Sequence, residues 1–424
     1  MTTKKNLVKL VLMSILTAAM TTFTACSSDD DALDDMQSTH NAKRAMKSQS
    51  DRTVLVYLAG HNNLSGDLEQ NVSQIKEGSK HMAGGTLLLF VRTMQSGRTP
   101  WLARIENGEV KDSVSVDDLG IRVNGNYACD PAMMEPVMRY AYDHYPAREY
   151  GLVLGGQSSG WLIEEEPNRP VSRGFGHDSG NYIYGSAKWM NVPTLARVLE
   201  QGPHLTFIFA DCCNFMCLET MYELRRSADY IIGSPAEIPA GGAPYNEVVP
   251  ALFEKTTFST SIIDKYHAAE EGCLPLSVVK TSEMERLASA TRAALDAVQA
   301  KIGNGYADTK GLIHYNYSNK NISHRQEYNI FYDAGDFLRS QLPEAEYRQW
   351  RQALDSAVVE KRFATRWRTM MTWRYVYSDF EMTPEKYHGV SMFVPQDPTG
   401  QYGKYYAKYN QDIHQLQWHT AVGW

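Results

Sequence analysis

Residues 205–219, LTFIFADCCNFMCLE, contain the transition that decides the fold. The first five positions are mostly apolar or aromatic and follow the turn sequence 201–203, which predicts a short buried β-strand. From Asp211 onward the apolar residues fall three or four apart, which predicts a helix with Asp211 as its N-cap. Cys212 and Cys213 would then lie where a parallel strand ends and a helix begins. The helix dipole would favour the thiolate there, and the thiolate is the nucleophilic form of cysteine.

The rest of the chain alternates between short apolar runs and amphipathic stretches. The predicted core strands, in chain order, are 53–59, 86–91, 151–154, 205–209, 230–234 and 275–279, with an edge hairpin within 101–116. The helices predicted between them are at 64–75, at 131–142, through 195–199 and from 211. Strands that alternate with helices favour a mostly parallel sheet covered on both faces. We therefore predict an α/β fold.

The region after residue 281 has a less regular pattern. Its predicted elements are helices at 284–302, 331–342 and 344–361 and a last apolar strand at 388–395. We assign residues 53–281 to a core that carries the site and residues 282–424 to a C-terminal helical region whose last strand packs on that core.

Composition excludes some classes of function. The chain has 424 residues and a net charge of −7, so it has no basic surplus for binding nucleic acid. Five cysteines remain beyond Cys26, and an odd number with three crowded within residues 212–217 does not form a disulfide framework. No repeated Cys-x-x-Cys spacing indicates a metal site, so we expect neither a metal nor a cofactor. The requirement for calcium stays open.

The N-terminus has the pattern of an export signal. Lysines precede the apolar run 10–20, which is too short for a stable membrane span, and small residues lead up to Cys26. The Thr-Ala-Cys ending resembles a bacterial lipobox, which implies a signal peptide at 1–25 and a lipid on Cys26; an ordinary secreted protein is the alternative. The polar stretch 26–52 is predicted to be a flexible tether. Its acidic start resembles an export tag of surface lipoproteins, although a plain linker has the same composition. We expect an envelope lipoprotein in the outer membrane, with surface exposure possible.

Candidate reactive groups follow three predicted strands, at residues 155–160, 211–213 and 234–244. The carboxyl ends of adjacent parallel strands gather such groups at one edge of a sheet. Six stretches, in order, resemble the clostripain-like cysteine peptidases of the C11 family. They are TVLVYLAGHNNL (53–64), GLVLGGQSSGW (151–161), ADCCNFMCLE (210–219), GSPAEIPAGGAPY (233–245), HGVSMFVP (388–395) and QWHTAVGW (417–424). The resemblance implies a caspase-like three-layer α/β/α sandwich with a C-terminal extension of helices and a strand.

The resemblance also implies roles for individual residues. The family motif places the nucleophile two residues after an aspartate and six before a glutamate, which selects Asp211, Cys213 and Glu219. Cys213, rather than Cys212, is therefore the expected nucleophile. Asp211 is expected to line a pocket for a Lys or Arg side chain of a peptide or protein ligand. The chain is expected to act as a monomer.

The expected general base is missing from this pattern. The matching Gly160-Trp161 fixes the register of the motif, so Gln157 occupies the position of the family's catalytic histidine. A glutamine amide can hydrogen-bond a thiol but cannot accept and return its proton. Ser158 replaces the glycine whose amide serves the oxyanion hole, and its Cβ restricts the backbone angles available there.

Two classes of function follow. The first is a cysteine endopeptidase that cuts after Lys or Arg and is weakened by Gln157; the second is an inactive pseudopeptidase that acts as a binding module on the cell surface. His177, with Asp178 beside it, is the best substitute base, and His61 at the end of the first strand is another. For both histidines a structural role is the simpler interpretation.

Overall fold

The computed structural model describes residues 49–94, 99–122, 127–163, 174–178, 188–315, 329–371, 374–400 and 403–424. The predicted signal peptide, Cys26 and the tether up to residue 48 lie outside these residues. The first strand begins at Ser50, so residues 50–52, which were expected to belong to the tether, are part of the sheet instead.

The described residues form strands and helices that alternate through most of the chain. The strands are β1 (Ser50–Gly60), β2 (Thr86–Thr93), β3 (Trp101–Glu106), β4 (Glu109–Ser115), β5 (Ala147–Gly156), β6 (Phe175–Asp178), β7 (Lys188–Met190), β8 (Leu205–Asp211), β9 (Ala228–Gly233), β10 (Leu276–Lys280), β11 (Tyr332–Asp333), β12 (Val358–Arg362), β13 (Arg366–Met371), β14 (Arg374–Asp379) and β15 (Ser391–Met392). The helices are α1 (Ser65–Gly78), α2 (Pro131–His144), α3 (Val192–Leu199), α4 (Leu218–Glu223), α5 (Tyr245–Ala251), α6 (Phe258–Ala269), α7 (Met284–Ile302), α8 (Ala334–Gln341), α9 (Glu344–Ala357), α10 (Gly403–Asp412) and α11 (Gln417–Val422).

Nine of these strands make the central sheet, in the order β12-β10-β9-β8-β5-β1-β2-β3-β4. The five strands in the middle, from β9 to β2, run parallel to one another. The pairs at each edge are antiparallel. The carboxyl ends of β1, β5 and β8 are therefore neighbours, as the alternation of strands and helices predicts.

Each face of the sheet is covered by its own apolar layer. In β1 the residues alternate, with Val54, Val56 and Leu58 on one face and Leu55, Tyr57 and Ala59 on the other. Helices α1, α5 and α6 cover the first face, and helices α2, α3, α4 and α7 cover the second. The sandwich is therefore three-layered, and burial on both faces explains why its strands are almost continuously apolar.

The helix expected to begin at Asp211 begins later. Strand β8 ends at Asp211, residues 212–217 form a loop, and α4 begins at Leu218 without a side-chain N-cap. Phe215 and Met216 are apolar because they are fully buried in that loop. Apolar residues there resemble the first turn of an amphipathic helix in the sequence. The predicted N-cap role of Asp211 is wrong. The predicted effect of the helix dipole on Cys213 is wrong as well, because no helix begins at Cys213.

The C-terminal region differs from expectation in three details. The chain predicted as helix up to residue 361 leaves α9 at Ala357 and continues as β12, which extends the central sheet. Of the predicted strand 388–395, only Ser391–Met392 pairs as a strand, with β11. Strands β13 and β14 form an additional hairpin. Among the described helices, none combines the length and the apolar character needed to cross a membrane.

Candidate active site

Three of the predicted site residues, Gln157, Asp211 and Cys213, line one cavity at the carboxyl edge of the sheet. We call it the Cys213 cavity; its described lining residues are Leu64, Leu68, Gly156, Gln157, Asp211, Cys213, Ile238, Pro239, Ala240 and Gly242. Residues 234–244, the strap loop, cross over it after strand β9. The cavity volume is about 20 Å³, which is room for about one water molecule. A longer side chain can enter only if the aliphatic walls move.

Cys213 is held by its neighbours in the chain. The next residue, Asn214, has a left-handed backbone with φ of 52°. Its N–H donates to the Ala236 carbonyl at 2.9 Å and its side-chain amide donates to the Pro235 carbonyl at 3.1 Å. Asparagine tolerates this conformation better than most residues do. The bonds of Asn214 therefore tie the loop that carries the thiol to the strap loop.

The Cys213 sulfur lies partly exposed at the cavity. The Ile238 N–H points at it, with an N to Sγ distance of 3.4 Å. Cys212, in contrast, is fully buried on the opposite face of the sheet, where its thiol donates to the Leu154 carbonyl at 3.1 Å. Only Cys213 can meet a ligand that enters the cavity.

Asp211 lies buried beneath the strap loop. Its carboxylate accepts hydrogen bonds from the Ala243 N–H, the Tyr245 hydroxyl and the Tyr266 hydroxyl, at 2.8–3.1 Å. Burial raises the pKa of Asp211, and these three donors oppose the rise. Glycine is required at position 242, because its φ is +63° and a Cβ there would lie 2.4 Å from the carboxylate.

Gln157 lies at the mouth of the Cys213 cavity. Its side-chain amide donates to the Asn63 side-chain carbonyl at 3.1 Å, and its backbone carbonyl accepts from Gly176. The preceding Gly156 has φ of +151°, and a Cβ there would lie 2.8 Å from the Ala59 carbonyl. No histidine is among the described residues that line this cavity. Among the described residues, Gln157 therefore contributes an amide to the lining of the cavity that Cys213 also lines.

Ser158 faces away from the Cys213 cavity. Its hydroxyl donates to the Gly174 carbonyl at 2.6 Å and accepts from the Gly160 N–H at 3.0 Å. Its backbone is outside the left-handed region, so the Cβ causes no strain in this conformation. The side chain of Ser158 fastens the turn after β5 to the start of β6.

The two substitute histidines have partners elsewhere. The Asp178 carboxylate accepts from the Ala128 N–H at 2.7 Å and lies 3.2 Å from Nδ1 of His61. The His177 backbone carbonyl accepts from the side-chain amide of Asn62. His61 and Asp178 make a buried pair at the end of β1, and neither His61 nor His177 lines the Cys213 cavity.

Glu219 joins the site to the C-terminal region. It is fully buried on α4, and its carboxylate accepts from the Phe393 N–H at 2.7 Å. Burial raises its pKa from 4.5 to about 7. Nearby, the Ser391 N–H donates to the Met216 carbonyl at 3.0 Å. The strand after His388 is thereby fixed against the loop that follows Cys213.

Sequence reasoning missed three polar partners of the site. Tyr245 is inside the quoted motif 233–245, which could have drawn attention to it, but Tyr266 and Asn71 lie within ordinary helical patterns. The described residues contain no group of three or more His, Cys, Asp or Glu side chains that could hold a metal ion. Cysteine peptidases of the C11 type work without a cofactor.

Comparisons with known proteins find C11 cysteine proteases with a similar fold. A secreted C11 cysteine protease from Bacteroides thetaiotaomicron, solved with an irreversible peptide inhibitor, is 27% identical with a TM-score of 0.69, covering 88% of this chain and 99% of that one. An inactive zymogen C11 protease from Parabacteroides distasonis is 26% identical with a TM-score of 0.71, covering 89% of this chain and 99% of that one. Iotapain from Bacteroides thetaiotaomicron shares the fold at 20% identity and a TM-score of 0.65, covering 88% of this chain and 99% of that one. No curated protein matches the chain.

The sequence profile of the clostripain family matches residues 56–424, nearly the whole described chain. Together with the three-layer sandwich and the position of Cys213 at its carboxyl edge, this match assigns the family. The chain belongs to the clostripain family of C11 cysteine peptidases.

Proposed function

We propose that this protein binds peptides through a Lys or Arg side chain in the Cys213 cavity and hydrolyses them only weakly. The observation that carries the proposal is the amide of Gln157 at the cavity mouth, bonded to Asn63, where the reaction needs a base. A similar C11 protease binds a peptide inhibitor, which supports a peptide as the ligand.

The chemistry of thiol peptidases explains the expected weakness. The Cys213 sulfur must lose a proton to attack the carbonyl carbon, and the leaving amine must gain one. A positioned acid–base group contributes about 10²–10⁴ in rate, and a glutamine amide supplies neither transfer. The site keeps a nucleophile and a ligand cavity while its rate of hydrolysis is low.

Asp211 supports a basic side chain as the anchor of the ligand. Its carboxylate is buried on the same cavity as Cys213, and a buried negative charge attracts a cation more strongly than an exposed one does. Burial raises the pKa of Asp211, so we expect cation binding to be lost on acidification at a higher pH than for an exposed aspartate.

A completely inactive binding module is the second candidate. It is favoured by Gln157, whose amide supplies neither of the proton transfers that turnover requires. In this case the native protein would bind Lys or Arg peptides with no turnover at all.

Fluorogenic peptides that end in Lys or Arg test both candidates. We expect slow release by the native protein, none by Cys213→Ala, and an increase of about 10²–10⁴ in kcat/KM for Gln157→His. A native rate equal to that of Gln157→His would contradict the proposal, because the glutamine would then not lower the rate of hydrolysis. Activity that appears only in Gln157→His would select the binding module.

We further propose that the protein is a monomer tethered to the cell envelope by a lipid on Cys26. The lysine-rich start, the short apolar run and the Thr-Ala-Cys ending support the lipid tether. We expect the native protein to incorporate labelled fatty acid. Cys26→Ala should not incorporate it and should be released as soluble protein. Equal membrane association of both variants would refute the lipid tether.

A further inference from the structure

Helix α1 places a polar residue in its buried apolar stripe, next to the Cys213 cavity. Leu64 just before the helix and Leu68 within it line that cavity, and Asn71 follows Leu68 one turn further along the same face. Asn71 is 1% exposed. A buried asparagine needs partners for both ends of its amide, because each unmet polar atom costs about 1–3 kcal/mol.

Only one end of the Asn71 amide has a partner. Its Nδ2 donates to the Gly241 carbonyl in the strap loop at 2.8 Å, while its Oδ1 has no hydrogen-bond partner among the described residues. A carbonyl can only accept, so this bond fixes the orientation of the amide and leaves Oδ1 as a free acceptor.

Asn71 and Asp211 contact the same short piece of the strap loop. Asn71 bonds to Gly241 and Asp211 to Ala243, two residues further on. The Cα atoms of these two strap residues are within about 8 Å of each other, because consecutive Cα atoms are about 3.8 Å apart. Gly242 between them lines the Cys213 cavity, and a Cβ at this position would lie 2.4 Å from the Asp211 carboxylate.

The two residues offer different properties to a cation. The Asp211 carboxylate supplies charge, but its two oxygens already take the contacts of Tyr245, Tyr266 and Ala243, which leave no free edge for the two-pronged bond of an arginine. A lysine ammonium needs no such edge, since it is a compact charge with three donors. Asn71 Oδ1 supplies the free acceptor for one of them.

We propose that Asn71 is a specificity-determining residue, whose Oδ1 accepts from the ammonium of a lysine held against Asp211. The inference rests on the proposed function and deepens it, because it names Lys rather than Arg as the anchor. The competing structural role is that Asn71 only clamps the strap loop through Gly241.

Neighbouring Gln74 provides a matched control. It lies one turn after Asn71 on α1. Its Oε1 accepts from the N–H of Tyr245, the residue directly after the strap loop, at 3.2 Å. Gln74→Leu removes a clamp without removing a free acceptor, whereas Asn71→Leu removes both. Asn71→Asp loses the bond to Gly241 but keeps an acceptor and adds charge.

The test measures binding of three otherwise identical peptide amides, ending in Lys, Arg or norleucine, to the native protein and these variants by calorimetry. We expect native affinity in the order Lys, Arg, norleucine. Asn71→Leu should lose about tenfold to a hundredfold in Lys affinity and stay within about twofold for norleucine. Gln74→Leu should weaken binding of the Lys and norleucine peptides by the same factor. Asn71→Asp should bind the Lys peptide at least as tightly as the native protein does.

The outcomes separate the two levels of inference. Equal losses for Lys and norleucine in Asn71→Leu, or Arg bound more tightly than Lys, would overturn the role of Asn71 while leaving a basic-residue pocket in place. A native protein that does not distinguish Lys from norleucine would overturn the proposed function and this inference together. Circular dichroism of each variant establishes that it is folded.

Discussion

Two regions of the molecule contain the parts of a proton-transfer site, and neither contains them all. The Cys213 cavity has a partly exposed thiol but an amide at its mouth. In the C-terminal region, His388 lies 2.6 Å from the Asp333 carboxylate and 2.9 Å from the Tyr347 hydroxyl, with His388 and Asp333 fully buried. The histidine–carboxylate pair resembles a catalytic one in its geometry, but it has no access to a ligand. Reaction chemistry depends on where such a pair lies, not on its presence.

The buried pair acts as a structural joint. Asp333 also accepts from the Tyr315 hydroxyl and from the backbone N–H groups of Gly335 and Asp336, so it is the N-cap of α8. The His388 ring packs against the backbone of Gly335, where a Cβ would lie 2.1 Å from the ring. Burial by itself raises the pKa of Asp333, but His388 and the hydrogen-bond donors hold it below its usual value.

The largest expected effect separates the two regions by stability. Asp333→Ala removes the buried carboxylate that pairs with His388 and accepts from the Tyr315 hydroxyl and two backbone N–H groups, so we expect a loss of about 3–5 kcal/mol in the free energy of unfolding. Denaturant unfolding measures it. The control is Asp229→Ala, which breaks the exposed pair with His204 and should change stability by less than about 1 kcal/mol. Similar losses for both variants would refute the distinction.

A smaller effect concerns Glu219, which connects the two regions. Its pKa of about 7 lies above its ordinary 4.5, so its contribution to stability is present below about pH 4.5 and is lost as the pH rises through 7. In Glu219→Gln this loss should be absent, which flattens the profile of unfolding free energy between about pH 4.5 and 7 by about 1–3 kcal/mol. Parallel pH profiles for the native protein and the variant would contradict the assignment.

The smallest effect is expected at the mouth of the Cys213 cavity. The Gln157 side chain is partly exposed, and its amide donates to Asn63 as its one hydrogen bond among the described residues. Gln157→Ala should therefore change the free energy of unfolding by less than about 0.5 kcal/mol. Thermal unfolding beside Asn63→Ala checks this. A loss above about 2 kcal/mol would mean that Gln157 is a structural residue like Asp333, and the contrast between the two regions would disappear.

The sequence by itself determined the parallel core strands and the residues at their carboxyl ends. Apolar runs such as 53–59 and 205–209 are continuous because both faces of the sheet are buried, and this local signal predicted β1 and β8 well. The motif register likewise put Gln157, Asp211 and Cys213 at neighbouring strand ends, and the structure brings all three to one cavity.

Only the tertiary structure decided what each polar side chain contacts. Asp211 caps no helix because Tyr245, Tyr266 and Ala243, which are 32–55 residues away in the chain, take its oxygens. Asp178 lies against His61, more than a hundred residues earlier in the chain, and Asn71 contacts a loop 170 residues further on. Periodicity reports burial, which is local in sequence, whereas the partner of a buried polar atom is set by whichever distant segment packs against it.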